Sequence, residues 1–217
     1  MSGYGAGLHG ALSDPIEGLY TDNASAPLQQ RAGLRNFYDF GLYSYCAYVN
    51  TTHGTCSNTS AGNRFQPFQV ITADMLSNYS GYTDYIISPT TFTDSTYLGD
   101  FSNGAYYLLL IGTICAAVAL FIGFVKHPLA FIVSTLFAIV GSFMLLIGAT
   151  IWTVIIKKTE LLNNVMIGQA SAPVPLGITV TMGNGVYLAW AAFACLIVSI
   201  LPYMIRYVSS KQTIFAS

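Results

Sequence analysis

Three stretches of this chain, 105–125, 129–156 and 186–205, contain no Asp, Glu, Lys or Arg. No other feature restricts the fold as much. A helix rises about 1.5 Å per residue, so even the shortest run is about 30 Å long, the thickness of a bilayer's hydrocarbon core. The middle run reaches about 42 Å and must tilt or project. Charged residues make up only 8% of the chain, against roughly 25% in soluble domains. That is too few to cover an ordinary globular surface, and the expected architecture is a membrane α-helical bundle.

The remaining charge is placed unevenly. Seven of the nine acidic residues lie between Asp14 and Asp94, with Asp100 at the edge of the first run. Residues 1–104 therefore read as a polar domain. Residues 105–206 read as a transmembrane bundle, with spans near 105–125, 129–156 and 186–205 and a loop at 157–185. Residues 207–217 form a short tail. The N-glycosylation sequons at Asn23, Asn50, Asn58 and Asn78 all fall in the first part, and none follows. Glycan acceptors face the lumen, which predicts residues 1–104 and 157–185 outside the cell. Lys126, His127, Arg206 and Lys211 then lie inside. Lys157 and Lys158 fall on the outer side, against the usual bias, and the sequons outweigh them. An N-terminal domain of this size needs a signal to cross the membrane, and no apolar run of signal length precedes it. The expectation is one more N-terminal span in the natural protein.

Local patterns predict a small sheet in the polar part. Tyr43, Tyr45, Ala47 and Val49 alternate as a strand does, His53-Gly54 supplies a turn, and a second strand is expected near Cys56. Cys46 and Cys56 flank this hairpin in polar surroundings. Beside sequons that require an oxidising lumen, they read as a disulfide. Cys115 and Cys195, inside apolar runs, read as small apolar helix residues. Phe65–Ile71 alternates loosely and predicts another strand, as does the β-prone Ile178–Thr181. Residues 1–35, rich in Gly, Ala, Ser, Asp and Asn, predict loop. The second long helix is expected to continue past Lys157 and break at Gly168.

Small residues recur at helical spacing in each span: Gly112, Ala116, Ala119 and Gly123; then Ser134, Ala138, Gly141 and Gly148, with Leu145 keeping the interval; then Ala191, Cys195 and Ser199. Such stripes let helix backbones approach closely in lipid. Gly and Ala are also common in membrane helices without forming interfaces, and that reading stays open.

Gly41-Leu42-Tyr43 followed by Cys46 and Cys56, in a large outer domain before a tight inner turn, resembles the motif of the claudin superfamily. Within it the chain is most similar to the fungal Sur/PalI group, through Thr153–Asn163 and Asn184–Ala194. The likeness covers residues 35–206. It implies a claudin-like fold with a small extracellular β-sheet and four spans, three of them visible here. It also implies a plasma-membrane scaffold of eisosome-associated membrane domains, linked to cell-wall integrity, endocytosis and pH sensing. Tyr43 stands where the family has Trp, which puts claudin-style adhesion in doubt; the phenol ring is expected to fill much of the same pocket.

The residues argue against other classes. His9, His53 and His127 are far apart, and no His-x-x-x-His, Cys-x-x-Cys or Gly-rich phosphate loop occurs, so no catalytic residue, metal site or cofactor is assigned. A formal net charge of −1 gives no field for nucleic acid. The spans hold no ionisable group to mark a transport path. Two functions remain. One is an organising membrane protein that packs against lipids and itself. The other is an accessory subunit of a larger membrane enzyme, channel or pump, packed against another integral membrane protein.

Overall fold

The structure is a computed structural model describing residues 3–12, 18–87, 90–125, 128–167 and 173–215, with the side chains of 10–12, 128 and 201–215 left out. The turn at Lys126-His127, the break at Gly168 and the side chains of Arg206 and Lys211 lie outside the described residues. Two compact units form: Met1–Asn103 with Val154–Met182, and Gly104–Thr153 with Gly183–Ser217.

The first unit opens with a helix, α1 (Tyr4–Leu12), where a loop was expected. Its glycines are contact points. A Cβ on Gly7 would lie 2.6 Å from the Pro175 carbonyl oxygen, so only glycine lets this helix lie against that backbone. Tyr4 and Leu8 point inward and are fully buried. Three strands follow, β1 (Phe37–Phe40), β2 (Tyr45–Tyr48) and β3 (Gly54–Cys56), in an antiparallel sheet of that order. Tyr45 and Ala47 are buried while Cys46 and Tyr48 are half-buried, the period of two expected of a sheet with one covered face. The strand is shorter than Tyr43–Val49, and β1 was not anticipated.

Phe65–Ile71 is not a strand. Residues Pro67–Asp74 form a helix, α2, and Pro67 sits in its first turn, where its missing N–H costs nothing. Pro67, Val70, Ile71 and Asp74 are the buried positions, a spacing of three, four and seven that only a helix puts on one face. A second helix, α3 (Ser77–Ile86), follows, with Thr83 buried. The Ile178–Thr181 segment is not a strand either. Asn163 occupies its backbone instead: Nδ2 donates to the Val180 carbonyl at 2.9 Å, and Val180 N–H donates to Oδ1 at 2.7 Å. The strands of this region are β4 (Met166–Ile167) and β5 (Val174–Pro175), paired with each other. Residues from α1, α2 and this segment, including Leu8, Ile71, Met75, Leu162 and Leu176, share one apolar core.

Helix α4 (Ser95–Gly123) starts ten residues before its charge-free run, and α5 (Pro128–Glu160) ends in a 3₁₀ turn at Leu161–Asn164. Helix α6 spans Asn184–Phe215, continuing through most of the expected tail. In the second unit these helices are built inside out. Ala105, Ala119, Ser134, Ala138 and Ala149 are buried, whereas Ile114, Leu120, Phe121, Leu136 and Phe143 are more than half exposed. Only 22% of the apolar window of α4 and 28% of that of α5 is buried. The core helix of a soluble protein would bury its large side chains and expose small polar ones. Here lipid is the solvent that the exposed face requires. Among the described residues, α4 and α5 are long and apolar enough to cross a membrane, and the apolar part of α6 runs from Asn184 to Ile200.

Candidate functional site

The Gly-Leu-aromatic corner and the disulfide belong to one small construction. Cys46 and Cys56 pair directly across β2 and β3 and are bonded, with Cα atoms 4.0 Å apart. The turn between these strands is organised by Asn50, whose Oδ1 accepts from Thr52 N–H at 3.0 Å and His53 N–H at 2.8 Å. Gly54 then allows close pairing, since a Cβ there would lie 2.5 Å from the Ala47 carbonyl oxygen. At the other end Gly41 N–H donates to the Ser44 carbonyl at 2.9 Å. The carbonyls of Leu42 and Tyr43 receive Asn63 N–H at 3.2 Å and Ser60 N–H at 2.8 Å. The corner is therefore held by its backbone. Tyr43 is 48% exposed, so its ring does not fill an enclosed pocket.

Beneath the sheet lies a cluster that no local sequence pattern announces. Arg35 and Asp74 form an ion pair at 3.1 Å with both side chains fully buried. The same carboxylate accepts from the Tyr38 hydroxyl at 2.8 Å and from Gln29 N–H at 2.5 Å. Arg35 also donates to the Ala26 carbonyl through Nη2. The backbone carbonyls of Ala73 and Asp74 take Arg31 N–H at 3.0 Å and Gly33 N–H at 2.9 Å. Burial raises the Tyr38 phenol far above its ordinary range, and the Asp74 charge raises it further, so it stays a neutral donor. One signal for this cluster was available: Asp74 is the acid on the buried 67–70–71–74 stripe of α2.

All four sequon asparagines are exposed and lie in the first unit, with Asn78 in the first turn of α3. Of the small-residue stripes, the first two meet. A Cβ on Gly141 would lie 3.2 Å from both Cys115 Cβ and the Gly112 carbonyl oxygen. Gly112 faces Leu145, and Gly148 faces Leu109. Ser134 donates its hydroxyl to the Ala119 carbonyl at 2.7 Å. Ala138 is buried; Ala116 and Gly123 are half-buried. The third stripe behaves differently. Ala191, Cys195 and Ser199 are exposed, and α6 turns Val186, Ala189, Phe193 and Leu196 inward instead. Trp190 links α6 to α5 by donating Nε1–H to the Thr153 hydroxyl at 3.1 Å.

Two cavities open on the first unit. One, of about 510 Å³, is lined by Thr90, Thr91, Thr93, Asp94, Tyr97 and Lys158; the other, of about 360 Å³, includes Gln29, Tyr45, Arg64 and Gln66. In the first, Asp94 caps α4 by accepting Tyr97 N–H at 2.9 Å, and Lys158 lies 5.1 Å from the centre of the Tyr97 ring. Neither cavity joins a His to a nucleophile. Among the described residues, no three of His, Cys, Asp or Glu are grouped to hold a metal.

A disulfide-tied sheet over a buried ion pair, in a chain whose long helices show their large apolar side chains outward, defines a membrane protein with a folded polar unit. The model of the SUR7/PalI family matches residues 6–201, and the chain belongs to that family. No curated protein and no solved structure matches it.

Proposed function

We propose that this chain is a non-enzymatic organising protein of the fungal plasma membrane, of claudin-like type. Residues 1–104 form its extracellular, glycosylated part, together with the loop 157–185. Spans at 105–125, 129–156 and 186–205 form its membrane part, and the tail 207–217 is cytoplasmic. One observation carries the reading: the unit bearing the Cys46–Cys56 disulfide also exposes all four sequon asparagines, in a chain whose apolar helices face outward. Family membership supports a place in eisosome-associated domains and a link to cell-wall integrity. Its partners in this reading are membrane lipids and further copies of itself.

The test is a C-terminally tagged full chain in fungal cells. Glycosidase treatment should shift its mass, the tag should be reachable only after permeabilisation, and the protein should sit in immobile surface patches. An unshifted protein with an accessible tag, or one spread evenly over internal membranes, overturns the reading.

The exposed Ala191, Cys195 and Ser199 face of α6 favours a second reading, an accessory subunit of a larger membrane enzyme, channel or pump. Stoichiometric co-purification with one large partner in mild detergent selects it. Homo-oligomers with lipid select the scaffold.

A further inference from the structure

Helix α3 carries an aromatic surface with no protein partner. Tyr82 is 52% exposed and Tyr85 is 89% exposed. Neither side chain makes a hydrogen bond, ion pair or ring contact among the described residues. Asn78 lies on the same face, because residues four and seven positions apart on a helix stack one above the other. Helical side chains lean toward the N-terminus, so both tyrosines incline toward Asn78 and not away from it. Gly81, one turn before Tyr85, adds open space: a Cβ there would meet nothing within 4 Å. Open helix surface carrying two phenol rings therefore begins one turn beyond an exposed sequon asparagine.

From this placement we infer that the N-glycan on Asn78 folds back along α3, its first sugars stacking on Tyr82 and Tyr85. The inference rests on the extracellular, glycosylated reading proposed above. A pyranose ring has one face of C–H bonds, weakly positive at hydrogen, which suits the negative face of an aromatic ring. The phenol hydroxyls, on exposed side chains, stay in water. The glycan so placed covers apolar surface that the chain leaves bare and braces a ten-residue helix that is short for stability on its own.

The experiment uses the full-length glycoprotein from a fungal host. Mass spectrometry first reads occupancy at Asn23, Asn50, Asn58 and Asn78 separately. Amide hydrogen exchange is then followed across residues 77–86 in wild type, Asn78→Gln, Tyr82→Ser/Tyr85→Ser and the triple variant. Loss of the glycan should speed exchange in α3 by roughly two- to tenfold, the equivalent of one aromatic contact. In the tyrosine variant the same loss should change nothing. Trimming wild type to a single sugar should give an intermediate rate without altering the sequence. Equal glycan effects with and without the tyrosines overturn the inference, as does no effect in wild type. An empty Asn78 beside occupied Asn23, Asn50 and Asn58 also overturns it, while leaving the glycosylated reading standing; four empty sites defeat that reading itself. Glycan-independent protection lost when the detergent-solubilised oligomer dissociates assigns the face to a second copy and overturns it too.

Discussion

Asp74→Ala is the substitution expected to damage this protein most. The carboxylate receives Arg35 Nη1 at 3.1 Å, the Tyr38 hydroxyl at 2.8 Å and Gln29 N–H at 2.5 Å, all at a position closed to solvent. Alanine removes the acceptor and leaves the Arg35 guanidinium charged and buried, with the Ala26 carbonyl as its remaining oxygen partner. Breaking a buried pair from one side costs about 3–5 kcal/mol. The stranded Tyr38 hydroxyl adds about 1 kcal/mol. A folded domain has roughly 5–15 kcal/mol in total, so the first unit would stand near its unfolding threshold. The charge-free pair Asp74→Leu with Arg35→Met removes both ions at once and should recover at least half of the loss. Urea unfolding of the full chain in mild detergent, followed by trypsin cleavage at Arg31, which every variant keeps, measures both effects. A loss below about 1 kcal/mol for Asp74→Ala, or a double variant no more stable than the single one, refutes the claim that the pair holds this unit together.

Cys46→Ser and Cys56→Ser each open a ten-residue separation and should cost about 2–3 kcal/mol. Both variants should be retained early in secretion, and normal surface delivery counts against the hairpin as a folding element. Gly141→Leu forces bulk against Cys115 Cβ and the Gly112 carbonyl, and backbone cannot yield as a side-chain tip can. It should lower detergent-phase stability by about 1–3 kcal/mol, more than the same change at Gly104, where a Cβ meets nothing within 4 Å. Tyr4, Tyr20, Tyr38 and Tyr45 all titrate above their ordinary value, chiefly through burial. The unfolded chain then loses these protons first, so stability is full below about pH 10 and falls as pH rises beyond it. Urea midpoints between pH 8 and 11 check this, and Tyr38→Phe should flatten the alkaline slope while lowering the neutral-pH midpoint.

The long helices were legible because a charge-free run of bilayer length has few alternatives. The disulfide was legible because two cysteines flanked a turn beside sequons. The misread elements share a cause: a residue was judged by its average behaviour and not by its neighbour in space. Glycines in α1 suggested loop, yet Gly7 serves close approach to β5. The aromatic pattern at 65–71 suggested a period of two, but Asp74 at the end of the same stripe shows that the period is that of a helix. Arg35 and Asp74 are 39 positions apart, and no local pattern announces such a partner. The small-residue stripes looked alike in sequence. Only packing distinguishes that of α5, which meets α4, from that of α6, which is exposed.

The ion pair and the disulfide are joined through the segment 23–35. Gln29 and Arg31 there hold left-handed backbone, φ 59° and 57°, which costs non-glycine residues roughly 1–2 kcal/mol each. Such strain persists only where the surroundings overdetermine it. Bonds from Gln29, Arg31 and Gly33 to the end of α2 supply one side of that constraint. The other side comes from β3, whose Thr55 hydroxyl donates to the Ala24 carbonyl at 2.6 Å one residue before Cys56. Freeing either end lets the strained segment relax and weakens the other. Asp74→Asn and Cys46→Ser should therefore not add. Their combined loss should fall short of the sum by about 0.5–1 kcal/mol, because whichever acts first already releases the strain. Hydrogen exchange at Gln29, Arg31 and Gly33 should rise in each single variant and rise little further in the double one. Strict additivity, with exchange in this segment unmoved by Cys46→Ser, means that the sheet and the ion pair stabilise the unit independently.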